Sequence, residues 1–511
     1  MYARAISAVI SGIDVLAVRV EADVSDGLPC FVMVGSASAQ VKEAPDRVRT
    51  AFKNIGVRLP PQRVTVNFAP ADIKKEGAGF DLPVAAAVLA ALGTIPARIL
   101  KEVMILGELG LNGEIYPACG ILPCVLKARD MGLKYCLIPK QNLREARLVP
   151  NIYCLGAENL SQMLTLIQKL GTDTEVKELS QWQENEEPPV ITDTEPCFDF
   201  ADIHGQEKSK RAACIAAAGF HNLLMIGPPG TGKTMLARRM PGILPALTFE
   251  ESLDLTRIYS IAGLLRQDQP LVRERPFRAP HHTSTPQALA GGGKIPKPGE
   301  VTLAHLGVLF LDEMPEFSRH SLEILRQPLE DRIIEISRVS GTFTFPARFM
   351  LVAAMNPCPC GYYPDLNRCR CSAGAIQHYM GKISRPLLDR IDLCTEVSGI
   401  SFHALEDNTG GMDSAQMRMQ VEKTRIIQSE RYNGQKIRFN SELSGKQTDR
   451  YCVMTDEARR LLKAAFDRLD FSPRSYHRIL KVARTITDLD QEDTISSSQM
   501  AEALSFRAFE K

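Results

Sequence analysis

Residues 197–395 predict an α/β core of parallel strands and helices, with an α+β domain before it and a helical domain after it. Three observations carry that prediction. The apolar run Leu223–Ile226 leads straight into Gly227-Pro228-Pro229-Gly230-Thr231-Gly232-Lys233-Thr234, and residues 235–240 then read as helix. A second apolar run, Val308–Leu311, ends on the adjacent carboxylates of Asp312 and Glu313. From residue 455 onward the apolar spacing is helical. Short apolar runs without alternation are the mark of strands buried on both faces, as in a parallel sheet covered by helices.

The bulk numbers bound the rest. A chain of 511 residues exceeds one hydrophobic core, and about three domains are expected. With 44% apolar and 24% charged residues, each domain can bury a core. A formal charge of +1 carries no general attraction for nucleic acid or membrane, so any basic surface must be local. No run of about 18 apolar residues occurs, and no membrane span is expected. The opening MYARAISAVISGID lacks the charged leader, apolar stretch and cleavage site of a secretory signal, and reads as the first strand of a cytoplasmic protein. Most of the thirteen cysteines stand singly in apolar contexts, such as Cys136, Cys214 and Cys394, where a reduced thiol packs as a small core residue.

In residues 1–170, strands are expected at 8–10, 15–21, 31–35 and 63–68, with an amphipathic helix over 39–55 and a buried, alanine-rich one over 81–92. A strand over 104–109, a hairpin turn at Asn112-Gly113, a helix over 120–131 and a strand over 134–139 follow. The runs Gly107-Glu108-Leu109-Gly110-Leu111-Asn112-Gly113-Glu114-Ile115, Pro117-Ala118-Cys119-Gly120-Ile121 and Ile138-Pro139-Lys140-Gln141-Asn142 make this domain resemble the proteolytic domain of Lon-type proteases and the related ribosomal-S5-like fold. That resemblance implies a serine nucleophile activated by a lysine. The serine's place, within Lys75-Glu76-Gly77-Ala78-Gly79-Phe80-Asp81, is taken by Gly79, and the lysine's place by Leu122. Cys124 lies two residues on, and Lys127, one turn later, is no obvious substitute. A degenerate Lon-like domain without peptidase chemistry is therefore expected, serving ring building or partner docking.

Residues 171–196 carry eight acidic residues against one lysine, with Pro188-Pro189 among them, and read as a solvated, flexible linker. Trp182 either pins that linker to a neighbouring surface or is simply exposed.

The core carries the chemistry. A glycine-rich turn between an apolar strand and a helix is a phosphate cradle, because glycines let main-chain N–H groups converge on an anion at the helix's positive end. Lys233 would reach the β- and γ-phosphates of a nucleoside triphosphate, and the Thr234 hydroxyl would join the Mg²⁺ shell. Asp312 would hold Mg²⁺ through water, and Glu313 would polarise the attacking water. These motifs resemble those of AAA+ ATPases. By that resemblance, Ile203 and Gly205 of Asp202-Ile203-His204-Gly205-Gln206-Glu207 line the adenine pocket with main-chain groups, while His204 is as well a surface loop residue. Asn356, after the apolar run 348–354, fits the polar residue that orients the lytic water. Pro386-Leu387-Leu388-Asp389-Arg390-Ile391-Asp392 matches the segment that delivers an arginine finger, with Arg390 the first choice and Arg385 the reserve. A guanidinium suits the task by its permanent charge and forked donors. The competing reading pairs Arg390 with Asp389 or Asp392 on a helix surface. A finger acting on a neighbour requires an oligomer, and a hexameric ring is expected.

Two insertions specify the branch. Ala290-Gly291-Gly292-Gly293-Lys294-Ile295-Pro296-Lys297-Pro298-Gly299-Glu300 precedes the carboxylate strand, and residues 330–346 read as a hairpin turning near Ser340-Gly341. Insertions so placed are similar to pore loops of magnesium-chelatase motor subunits and MCM helicases, and residues 298–313 are close to the chelatase-type motif. With the Lon-like front end, the chain is identified as a member of the ComM/YifB family of magnesium-chelatase-like AAA+ proteins. The family implies an ATP-driven DNA motor for branch migration in natural transformation, with Lys294, Lys297 and Arg338 on phosphates inside the pore, or else as solvated loop charges. The alternatives are a chelatase-like motor remodelling a partner protein and an ATP-dependent protease, the latter opposed by Gly79.

Cys358-Pro359-Cys360 and Cys369-Arg370-Cys371 form two close pairs, whose four thiolates can close a structural Zn²⁺ site; reduced thiols or a redox switch are the alternatives. In residues 396–511, helices are expected near 415–433 and over 458–469, 475–489 and 497–509, with caps at Thr455 and Ser472. This region looks like the AAA+ lid, and Arg474 matches the arginine that reads the γ-phosphate from it. A plain helix-start surface arginine is the competing reading.

Overall fold

The computed structural model describes residues 1–75, 77–170, 198–266, 268–293, 296–338, 341–399, 412–469 and 471–507. The linker with Trp182, Lys294, and the tip of the hairpin at residues 339–340 lie outside them. Contacts divide the chain into two compact units. One takes in Met1–Thr192, Ser252–Val272 and Ile295–Lys297, and the other takes in the rest. Ser252–Val272, which the sequence places within 197–395, thus groups with the first unit. Among the described residues no helix is long and apolar enough to cross a membrane.

The first unit is built on a seven-stranded mixed sheet in the order Cys30–Val34, Arg63–Ala69, Asp14–Ser25, Tyr2–Ser11, Val103–Ile105, Tyr135–Pro139, Tyr153–Ala157. Tyr2–Ser11 and Asp14–Ser25 pair antiparallel along their whole length, and the last three strands run parallel to Tyr2–Ser11 and to one another. Helix Asp81–Ala91 is buried on every side, which its alanine-rich sequence permits. The single helix expected over 39–55 is instead two, Ala39–Lys42 and Ala44–Asn54, because Pro45 can only enter a helix in its first turn. The strand expected over 104–109 is likewise divided. Val103–Ile105 stays in the sheet, while Glu108–Leu109 pairs with Ile115–Tyr116 across the Asn112-Gly113 turn, where Gly113 adopts φ +88°.

The second unit centres on a five-stranded parallel sheet in the order Phe277–Arg278, Val308–Leu311, Met350–Met355, Leu223–Ile226, Leu393–Glu396. The strand that ends at Asn356 is therefore wedged between the strand entering the phosphate turn and the strand ending in Asp312-Glu313. Helices Ser414–Arg431, Asp456–Leu469, Pro473–Leu489 and Ser497–Ser505 share one hydrophobic core with this sheet and with Glu207–Gly219 and Lys233–Ile243. The caps stand where the sequence puts them: Ser472 Oγ accepts from Ser475 N, and Thr455 Oγ1 from Ala458 N, each at 3.2 Å. The expected hairpin is present, with Ile333–Arg338 antiparallel to Gly341–Pro346.

Candidate functional site

In an open parallel sheet, ligands collect at the carboxyl ends of the strands where the order changes direction. Leu223–Ile226 stands at such a point, flanked by Met350–Met355 and Leu393–Glu396. Gly227, at its exit, runs so close to the chain beyond Leu393–Glu396 that a Cβ there would lie 2.1 Å from the Val397 carbonyl oxygen. Gly230 and Gly232 hold φ of +78° and +86°, left-handed values that let successive N–H groups converge into an anion nest. Gly232 caps helix Lys233–Ile243 without a side-chain bond, so the helix's first N–H groups face the cradle's chemistry rather than a capping oxygen. Gln206 Nε2 donates to the Thr231 carbonyl at 2.7 Å and ties the turn to the segment before Glu207–Gly219.

Lys233 Nζ donates to the carbonyls of Gly227 (2.6 Å) and Pro228 (2.7 Å) and to Asn356 Oδ1 (3.2 Å). Burial lowers the lysine's pKa from its ordinary value, against the opposing pull of the Asp312 and Glu313 charges. Thr234 Oγ1 donates to Asp312 Oδ2 at 2.9 Å, so a hydroxyl and a carboxylate stand side by side as hard oxygen ligands of the kind Mg²⁺ takes. Asp312 Oδ1 accepts the Glu313 N–H at 3.0 Å. Glu313 is exposed and sits at φ +50°, a strained setting for a non-glycine residue of the sort functional sites retain. The nest, the ammonium and the oxygen pair together fit a nucleoside triphosphate with Mg²⁺.

Two neighbours of the site, His282 and Tyr379, and one structural residue at the opposite end of the strand Leu223–Ile226, Asn222, carry no motif signal that pointed to them. His282 Nδ1 lies 3.7 Å from Glu313 Oε2. The Tyr379 phenol lies beside the Asn356 main-chain N–H; burial, then the Glu316 charge, push that phenol up to about 12, so it stays neutral. Asn222 joins three strands: its Oδ1 accepts from Leu351 N, its Nδ2 donates to the Arg390 carbonyl, and its N–H donates to Asp392 Oδ2.

Arg390 differs from expectation. Its side chain is 8% exposed, pairs with Glu330 and donates to the Pro386 carbonyl. Within the chain this guanidinium is engaged, and its carboxylate partner is neither Asp389 nor Asp392. Asp392 instead faces His221 (3.4 Å) and Arg478 (3.8 Å). Burial raises its pKa, but His221, Arg478 and Lys481 outweigh that and hold it well below the usual carboxylate range. Arg385, first residue of helix Arg385–Leu388, is exposed.

The remaining expected residues are placed as follows. Ile203 is buried in the core and Gly205 adopts φ +63° just before helix Glu207–Gly219. Arg474 is exposed on the first turn of Pro473–Leu489. Lys297 and Arg338 are exposed. Gly79 lies in the short helix Ala78–Phe80, Leu122 is fully buried, and burial pushes the Cys124 thiol up to about 12, which leaves it inert. The sulfurs of Cys358, Cys360, Cys369 and Cys371 all lie within 4.8 Å of one another.

Comparison with known proteins covers the same ground. Residues 199–405 match the family described as magnesium chelatase, subunit ChlI. Residues 20–142 match subunit ChlI of Mg-chelatase, and residues 411–507 match the magnesium chelatase, subunit ChlI C-terminal family. The competence protein ComM of Haemophilus influenzae is 44% identical over 504 residues, which cover 97% of this chain and 96% of that protein. The YifB protein of Salmonella typhimurium is 40% identical over 505 residues, 98% of this chain and 96% of its own. The magnesium-chelatase 38 kDa subunit of Rhodobacter capsulatus is 28% identical over 182 residues, 32% of this chain and 51% of that subunit.

Proposed function

This chain belongs to the ComM/YifB family of magnesium-chelatase-like AAA+ ATPases, and from that premise we propose that it is an ATP-driven DNA translocase promoting branch migration during natural transformation. One observation carries the DNA reading. The Arg338 guanidinium, at the end of the hairpin, comes beside Gly292 of the glycine-rich insertion, with Nη2 3.5 Å from where a Cβ on Gly292 would stand. Two insertions that meet in one protomer make a basic, glycine-lined rim when repeated around a ring. Arg338 then contacts phosphates there without reading bases, and Lys294 and Lys297 are the further phosphate-contacting residues this reading assigns to the insertion.

In this reading the turn 227–234 holds the triphosphate, and Ile203 and Gly205 present main-chain groups to adenine. Thr234 and Asp312 hold Mg²⁺, whose charge offsets that of the phosphates. Glu313 polarises the attacking water, Asn356 orients it, and Arg474 reads the γ-phosphate from the lid. Arg385, exposed where Arg390 is engaged, supplies the finger to the adjoining protomer, and six protomers close the ring. A zinc ion on Cys358, Cys360, Cys369 and Cys371 is a third cofactor, structural in its work. The cytoplasm is the setting this reading requires.

The test is the ATPase rate with single-stranded, duplex and branched DNA across a salt series. DNA should raise turnover, and the stimulation should fall steeply with salt as phosphate contacts are screened. Unchanged turnover with all three would favour a chelatase-like motor that remodels a partner protein, the reading supported by the three ChlI-type matches.

A further inference from the structure

The stretch between Asn356 and helix Ala373–Met380 has no strand, helix or apolar core of its own. Of residues 357–372 only Pro357, Cys358, Gly361 and Cys369 are buried, while Leu366 is 80% exposed. The loop is nevertheless closed. Ser372 caps the following helix, and the Tyr379 phenol of that helix lies beside the Asn356 N–H, so the chain returns to where it left the sheet. Something other than apolar burial must hold such a loop.

Its four cysteines have the required geometry. Sγ–Sγ separations are 3.4 Å for Cys358–Cys360, 3.7 Å for Cys358–Cys369 and 3.6 Å for Cys360–Cys369. A tetrahedron with Zn–S bonds of about 2.3 Å has edges of about 3.8 Å, whereas a disulfide needs about 2.05 Å. Cys358 Sγ also accepts the Tyr363 main-chain N–H at 3.4 Å, and the main-chain N–H groups of Tyr362, Cys371 and Cys360 lie near the sulfurs of Cys360, Cys369 and Cys371. Such donors favour thiolates and orient them on a metal. The sulfurs lie too close together for a cluster of several irons, and the full thiolate set leaves no open position for catalysis.

The loop touches the nucleotide site at two places. Cys358 is two residues beyond Asn356, which accepts from Lys233. Gly361, at φ +85°, packs so closely on the phosphate turn that a Cβ there would lie 2.6 Å from Pro229 Cδ. We propose that the four thiolates bind one Zn²⁺ and that the metal-closed loop is a strut that positions Asn356 and the phosphate turn for ATP hydrolysis. This rests on the ATPase reading above. The residues of the strut are positioning residues: the metal acts on hydrolysis through the loop it closes and touches no substrate.

The experiment uses the purified full chain, kept reduced, with zinc measured by mass spectrometry, fluorescent ATP-analogue affinity and ATPase kinetics on the same samples. The expected result is about one zinc per chain. Mercurial stripping, or the pair Cys369→Ser and Cys371→Ser, should remove the zinc and lower kcat about 100-fold through misplacement of Asn356. Gly361→Ala keeps all four thiols, so it should retain zinc yet raise KM by at least about tenfold through Pro229. Adding Pro229→Ala should restore part of that loss. Zinc near zero in the wild-type chain overturns the proposal. Zinc present, with stripped and Gly361→Ala proteins both unchanged in kcat, KM and analogue affinity, leaves the metal site standing and overturns the strut. Wild-type protein that holds zinc and binds the analogue without turnover counts against the ATPase reading instead; analogue affinity then decides the strut.

Discussion

Lys233 and Lys75 each lie in a glycine-containing stretch that leads into a helix, each is buried, and in each burial lowers the pKa from the usual lysine value. Their surroundings differ. Around Lys233 stand Asn356 Oδ1, two carbonyls of the phosphate turn, and the charges of Asp312 and Glu313, with Thr234 already bonded to Asp312. Lys75 Nζ donates to the Pro70 carbonyl, and its main chain bonds Ser36 and Ser38. The neighbouring polar groups are likewise committed: Gly79 O accepts from Gly107 N, and Asp81 is held by two bonds to Arg47 at 2.7 and 2.9 Å. Similar ingredients make a site in one region and a rigid corner in the other. The difference is whether polar groups converge on open space or on one another.

The sharpest way to break this contrast is to disarm each site. Lys233→Ala should abolish nucleotide binding, measured by fluorescent-analogue titration. Glu313→Gln should bind but lose about 10²–10⁴-fold in turnover, the usual contribution of a group that handles the attacking water's proton. Full turnover in Glu313→Gln would remove it from that role. Next in size is the finger. Arg385→Ala should bind ATP yet hydrolyse it about 1,000-fold more slowly, whereas Arg390→Ala should chiefly lower the melting temperature by stranding Glu330. The opposite pattern would return the role to Arg390, released from Glu330 at a subunit contact.

A smaller effect separates the two regions by pH. His305, in the second unit, is buried beside Arg348 and Arg438; burial foremost lowers it to about 3, and its Nδ1 accepts from Arg348 N at 3.0 Å. The unfolded chain takes up that proton at about 6.5 and the folded chain does not until about 3. Stability therefore falls as pH drops through this window, by at most about 1.4 kcal/mol per unit. Glu145, in the first unit, is raised by burial against bonds from Ser260 and Asn142, so acidification favours its folded form. Denaturant melts from pH 7 to 4 should show His305→Asn flattening the acid loss, and an unchanged slope would reject the assignment. The smallest effect belongs to Lys75→Met, which should shift stability within about 1.5 kcal/mol and leave ATPase untouched. A loss of turnover there would erase the distinction between the two lysines.

The phosphate turn, the Asp312-Glu313 strand end, the hairpin at Gly341, the Asn112-Gly113 turn and the helix caps at Thr455 and Ser472 were all readable from the chain. Each depends on residues adjacent in sequence: glycines that supply φ, apolar runs that make buried strands, hydroxyls that cap. Tertiary structure alone decided which distant groups meet. The sheet order sets the strand ending at Asn356 between the strand entering the phosphate turn and the strand ending in Asp312, Lys233 reaches Asn356, Glu330 claims Arg390, and Tyr379 returns to Asn356. The close approach of Gly361 to Pro229 is of the same kind. Such partnerships follow from strand order and packing across long separations, and no local spacing encodes them.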